Sequence, residues 1–104
     1  MRKSLAAGAI VALAASTTIH AAPDCAEIRR LAKEEASHRP LHKAGIGSPR
    51  EDVRGYSLTY SMMGLSDRDA ETLAKLPFDK AFAKSSAEDI GRVAEKACQL
   101  SAAQ

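Results

Sequence analysis

The chain has 104 residues, of which 45% are hydrophobic and 27% charged, and its formal net charge is +2 at pH 7. This length excludes two ordinary domains. We expect the N-terminal segment that contains Arg2 and Lys3 to be removed, for the reasons given below. The remaining 13 Lys and Arg then equal the 13 Asp and Glu, so the mature chain has no net charge. A nucleic-acid binder normally carries a surplus of Lys and Arg, so we expect no nucleic acid as partner.

Residues 1–21 have the order of a secretory signal peptide. Arg2 and Lys3 precede an uncharged, mostly apolar run from Leu5 to Ala15, and small or polar residues continue to Ala22. The run is shorter than the roughly 20 residues that a membrane-spanning helix needs, and it lacks the amphipathic pattern of a buried first helix. We expect cleavage after Ala21, no membrane anchor afterwards, and a periplasmic or secreted domain comprising residues 22–104.

The chain contains two cysteines, Cys25 and Cys98. An exported protein meets an oxidising environment, so we predict a disulfide between them; the alternative is two buried free thiols. Closing so long a loop stabilises a fold by roughly 4 kcal/mol in the chain-entropy description. This contribution matters because the core of so small a domain supplies only a few kcal/mol. Without a CxxC motif, neither redox catalysis nor a zinc site is expected.

The first two predicted helices of the mature chain begin at recognisable caps. Asp24, three residues before Glu27, caps a helix that should stop near His38, because the residue before Pro40 avoids helical angles. Pro40 to Gly47 has no periodic apolar pattern and is predicted to be a loop. The next helix begins at Ser48 and Pro49 and ends near Gly64. Its core stripe consists of Val53, Tyr56, Tyr60 and Met63.

The remainder of the chain predicts a third helix, a short plug and a final helix. The third helix begins within residues 65–69 and ends at Pro77, and Phe78, Ala81 and Phe82 then form a turn or short helix against the core. Ser85, three residues before Glu88, caps the last helix. Its inward side consists of Ile90, Val93, Ala94, Ala97 and Cys98. The predicted fold is an all-α bundle of four to five short helices, with the first and last linked by the disulfide.

The helix that begins at Pro49 has apolar residues on two faces, of which only one is the core stripe. Leu58, Met62 and Leu65 point roughly opposite to its core stripe. One interpretation is a central helix covered on both sides. The other is an exposed patch that binds a partner protein or a second copy of this chain, with methionine as an adaptable contact residue.

The segment from His38 to Lys43 concentrates cationic and titratable groups between two helices. A solvated loop without function is one interpretation. Another is a pH-responsive or ligand-binding loop, in which His38 and His42 become charged in acid beside Arg39 and Lys43 and loosen the loop by repulsion. A metal site that adds Glu34 or Glu35 is disfavoured, because Pro40 should prevent the two histidines from lying one helical turn apart.

No catalytic motif occurs in the sequence, so we expect neither an enzyme nor a cofactor. The favoured hypothesis is a periplasmic protein-binding module of the immunity or inhibitor type, or an envelope chaperone. In this hypothesis the face of Leu58, Met62 and Leu65 binds another protein or mediates self-association. The alternative is a small-ligand or metal carrier that uses the loop of His38 and His42.

Overall fold

The computed structural model describes residues 22–102, so the predicted signal peptide lies outside the described residues. Five α-helices follow in order: α1 (Cys25–Ala36), α2 (Arg39–Lys43), α3 (Pro49–Met62), α4 (Asp67–Lys75) and α5 (Ala87–Ala102). Two 3-10 turns, Leu76–Phe78 and Lys80–Phe82, connect α4 to α5. No strand occurs between residues 22 and 102. The predicted all-α fold of four to five short helices is confirmed.

Side-chain caps start the long helices. The Asp24 carboxylate accepts the Glu27 N–H at 3.1 Å, and the Ser48 hydroxyl accepts the Glu51 N–H at 3.2 Å, as the sequence predicts. The predicted cap of α5 is wrong by one position, because Ser86 rather than Ser85 accepts an N–H, that of Asp89. A serine at either position satisfies the same spacing rule, so the pattern alone does not choose between them.

The predicted loop from Pro40 to Gly47 is wrong in its first half, where α2 forms. Pro40 occupies the first turn of α2. An N–H in a first turn has no partner inside the helix, so proline is tolerated there. The chain is irregular only after Lys43, where Gly45 and Gly47 adopt positive φ angles of 84° and 66°.

Helices α1 and α5 run antiparallel and form the most extensive helix pairing. The disulfide between Cys25 and Cys98 joins the start of α1 to the last turns of α5, with the two Cα atoms 5.6 Å apart. Further along, Arg29 and Lys33 of α1 both bind Glu88 of α5, at 2.9 and 2.8 Å. The predicted link between the first and last helices is therefore confirmed.

Helices α3 and α4 form the second extensive pairing. Gly64, with a φ of 112°, turns the chain between them. A residue with a Cβ is strained in this left-handed region, so glycine suits the turn. The Leu65 N–H then donates to the Tyr60 carbonyl oxygen at 3.2 Å, which ends α3.

The core lies where the two helix pairs meet, and small side chains make up much of it. Two predicted core residues are misplaced, since Val93 is 37% exposed on α5 and Ala81 is exposed in the second 3-10 turn. None of the helices within residues 22–102 has the length and apolar character needed to span a bilayer. The buried hydrophobic residues are Ile28, Ala32, Ala36, Tyr60, Leu65, Ala70, Leu73, Ala74, Ile90, Ala94 and Cys98.

Candidate functional site

Two histidines meet one carboxylate at the junction of α1, α2 and α3. His38, the residue before α2, places Nδ1 3.0 Å from Oδ2 of Asp52, and His42 places Nε2 2.7 Å from the same oxygen. The His42 N–H of the backbone also donates to the His38 carbonyl oxygen at 3.1 Å. The two imidazoles therefore lie one helical turn apart. The expectation that Pro40 keeps them apart is wrong, because Pro40 is accommodated in the first turn of α2.

His42 has an acceptor at each ring nitrogen. Its Nδ1 lies 2.9 Å from the Ile46 carbonyl oxygen, which can only accept, and its Nε2 faces the Asp52 carboxylate. Only the imidazolium form carries a proton on both nitrogens. The hydrogen bond to Ile46 and the contact with Asp52 accordingly raise the pKa of His42 above its ordinary value of 6.5.

This geometry bears on the interpretation of the segment from His38 to Lys43 as a pH-responsive loop. In that interpretation, repulsion between charged groups loosens the segment in acid. The Asp52 carboxylate, however, contacts both imidazoles. A negatively charged carboxylate attracts a protonated imidazole. Protonation of His42 therefore tightens the contact between α2 and α3.

Arg39 does not belong to a pH-responsive loop, because its guanidinium group donates hydrogen bonds to backbone carbonyl oxygens. It donates to Ala36 on α1 at 3.1 Å, to Phe82 at 3.2 Å and to Ser85 at 2.7 Å. A longer bond of 3.4 Å reaches Pro77. These bonds fasten the two 3-10 turns to the junction of α1 and α2. Lys43, by contrast, is exposed at the end of α2.

Residues 22–102 contain no group of three or more His, Cys, Asp and Glu side chains that could hold a metal ion. The two histidines and Asp52 contact one another through hydrogen bonds. Both nitrogens of His42 are engaged, and Asp52 contacts the imidazoles directly at hydrogen-bond distance.

The predicted apolar patch on α3 is exposed in two of its three residues. Leu58 is 62% exposed and Met62 is 79% exposed. Leu65 is only 6% exposed and belongs to the core, so its inclusion in an exposed patch is wrong. The helix ends before Leu65, and the turn at Gly64 directs this side chain inward instead of continuing the α3 face. We call Leu58, Met62 and the neighbouring exposed Gly55 the outer face of α3.

A buried acid went unrecognised in the sequence. Glu35 is completely buried, and neither of its carboxyl oxygens finds a hydrogen-bond partner within residues 22–102. Burial and the nearby Asp52 raise the pKa of Glu35 to about 9, so this acid is neutral at pH 7. Glu35 follows Ile28 and Ala32 at helical spacing and therefore lies on the inward stripe of α1. This periodicity is the feature of the sequence that could have predicted its burial.

Tyr56 and Tyr60 extend this polar cluster along α3. The Tyr56 hydroxyl donates to Oε2 of Glu34 at 2.8 Å and so connects α3 to α1. The Tyr60 hydroxyl is buried, with no partner among the described residues. Burial, together with the nearby Glu35, raises the pKa of Tyr60. The cluster therefore holds two buried polar groups that are neutral at pH 7.

No protein family, no curated protein and no solved structure matches this chain. The functional assignment consequently depends on the geometry of its own residues.

Proposed function

We propose that the mature chain is a protein-binding module that works in an oxidising compartment outside the cytoplasm, in the periplasm or after secretion. The order of charges and apolar residues in residues 1–21 supports export. The disulfide between Cys25 and Cys98 is consistent with such a compartment.

The observation that carries the proposal is the outer face of α3. Leu58 and Met62 are exposed by 62% and 79% and lie one helical turn apart. Single exposed apolar residues are ordinary on a protein surface, whereas larger contiguous apolar patches mark interaction sites. Gly55 lies on the same face, and a Cβ placed on it would meet nothing within 4 Å. A partner helix or strand can therefore approach the α3 backbone closely there.

The alternative function, a small-ligand or metal carrier that uses His38 and His42, has weaker support. Three of the four ring nitrogens, Nδ1 of His38 and both nitrogens of His42, already contact Asp52 or Ile46. A ligand held by both histidines would have to replace at least one contact of His42.

Site-specific photo-crosslinking tests the proposal. A photoreactive amino acid replaces Met62 in the full chain, expressed in the cell that naturally produces it, and irradiation follows. A discrete adduct of higher mass is expected, and mass spectrometry then identifies either another protein or a second copy of this chain. The same substitution at the exposed Lys96 of α5 is the control and should give no adduct. Failure to obtain an adduct from position 62 contradicts the proposal.

A further inference from the structure

A second surface lies beside α2, where a groove of about 830 Å³ runs between this helix and the two 3-10 turns and includes His42 in its lining. Its walls are mostly apolar and are supplied by rigid residues, among them Pro40, Pro49, Pro77 and Phe78. The bonds from Arg39 to Phe82 and Ser85 hold the turns in place, so this shape is built into the fold. The groove is open to solvent along one side and is not an enclosed cavity.

The charge around the groove is mainly positive. Arg39, Lys43 and Lys80 contribute to its lining, and none of the three forms an ion pair within residues 22–102. Asp79 is the one acidic residue of the lining, and its carboxylate already accepts the Ala81 N–H at 2.8 Å. The guanidinium of Arg39 is already hydrogen-bonded to backbone carbonyls, which leaves the ammonium groups of Lys43 and Lys80. An apolar surface beside these two cations is complementary to an apolar group flanked by carboxylates.

The open shape favours a segment of a protein over a small molecule. Small ligands usually bind in sites that bury most of their surface. A peptide needs to bury only one or two side chains, and the rest of it remains in water or contacts the rim. We propose that this groove binds an acidic segment of a partner protein, with one apolar side chain beside Phe78 and carboxylates facing Lys43 and Lys80. This inference rests on the proposed protein-binding function and specifies the chemistry of the partner.

The test is an NMR titration of the oxidised mature protein with synthetic peptides. The probe is a hexapeptide in which two acidic residues stand on each side of a Leu-Phe pair. Saturable shifts are expected at the amides of Lys43, Phe78 and Lys80. Replacing the acidic residues by lysines, or the Leu-Phe pair by Ser-Gly, should abolish them. Raising the salt concentration should weaken binding, because the attraction between exposed charges is screened.

Charge-reversal variants locate the site. The double variant Lys43→Glu with Lys80→Glu should weaken binding of the acidic peptide at least tenfold. The control is Arg68→Glu with Lys96→Glu, which changes the net charge equally at exposed positions outside the groove lining and should weaken binding less than twofold. Equal losses in both variants would show attraction by net charge alone and would overturn the inference.

Two outcomes of the titration would overturn the inference. Absence of saturable shifts at millimolar peptide, or equally tight binding of decanoate, would overturn the inference that a protein segment is the ligand. Absence of peptide binding together with a photo-adduct from position 62 would contradict the groove alone. Absence of an adduct from position 62 in the otherwise unchanged chain would contradict the proposed protein-binding function, so the two failures are distinguishable.

Discussion

Asp52 and His42 connect α3 to α2 through a contact of 2.7 Å between Oδ2 and Nε2. The same carboxylate oxygen lies 3.0 Å from Nδ1 of His38. One side chain from the first turn of α3 therefore orders the segment that precedes that helix. The connection depends on protonation, because a neutral His42 cannot donate to both Ile46 and Asp52.

The first prediction concerns the pKa of His42. Its value in the folded protein should exceed 6.5, and Asp52→Asn should lower it by removing the charged acceptor while the Ile46 bond remains. Because the folded pKa is raised, the stabilisation is fully present below pH 6.5 and is lost as the pH rises through the folded value. NMR titration of the imidazole protons measures both pKa values. A parent pKa at or below 6.5 would contradict the assignment of an imidazolium.

The second prediction concerns Glu35, whose pKa is raised to about 9 from the ordinary value of 4.5. The folded protein keeps this acid protonated, whereas the unfolded chain releases the proton above pH 4.5. The free energy of unfolding therefore falls as the pH rises from 4.5 towards 9. At pH 7 the cost is roughly 3 kcal/mol. Glu35→Gln removes the titrating group and preserves the shape. Its unfolding free energy relative to the parent should grow by about 1.4 kcal/mol per pH unit between pH 5 and 8.

Urea unfolding at several pH values measures this difference. The control is Glu71→Gln on the exposed face of α4, which should change the pH dependence little. A constant difference between the Glu35→Gln variant and the parent across the pH range would show that Glu35 is ionised in the folded protein. That result would contradict its description as a buried neutral acid.

The third prediction compares two glycines in helices. A Cβ on Gly91 would lie 2.9 Å from the Arg29 carbonyl oxygen, so Gly91→Ala should force α1 and α5 apart and cost about 1–3 kcal/mol. A Cβ on Gly55 would meet nothing within 4 Å, so Gly55→Ala should stabilise α3 by about 0.5–1 kcal/mol. Thermal unfolding of both variants tests the contrast. Equal effects would contradict the close approach of α1 and α5 at Gly91.

The fourth prediction concerns the disulfide between residues that are 73 positions apart. The double variant Cys25→Ser with Cys98→Ser should lower the unfolding free energy by about 4 kcal/mol, because its unfolded chain is no longer constrained. Many core residues are alanines, so little apolar packing remains to offset that loss. The urea midpoint of the variant should fall steeply. An unchanged midpoint would show that the core alone stabilises the fold.

The sequence was most informative where one local rule determined the structure. Asp24 and Ser48 accept the N–H groups of Glu27 and Glu51, because a cap requires only its own helix. The Cys25 and Cys98 pairing followed from the absence of other cysteines. These two kinds of signal were sufficient to predict the number of helices and the link between the first and the last.

The site was less predictable, because its geometry depends on contacts between distant segments. Arg39 looked like a loop cation, yet it binds carbonyl groups of residues as far along the chain as Ser85. Leu65 looked like a continuation of the α3 surface until the turn at Gly64 directed it inward. The pairing of His38 and His42 with Asp52 required α2, which the pattern around Pro40 did not predict.

The most direct test of a protein-binding function is the affinity of the crosslinked partner, once purified, for two matched variants. Met62→Asp places a charge on the outer face of α3, whereas Lys96→Asp changes an exposed position on α5. Isothermal titration calorimetry should show at least a tenfold rise in Kd for Met62→Asp and little change for Lys96→Asp, with both variants as thermally stable as the parent. An unchanged Kd for Met62→Asp would contradict the assignment of the outer face of α3 as the binding surface.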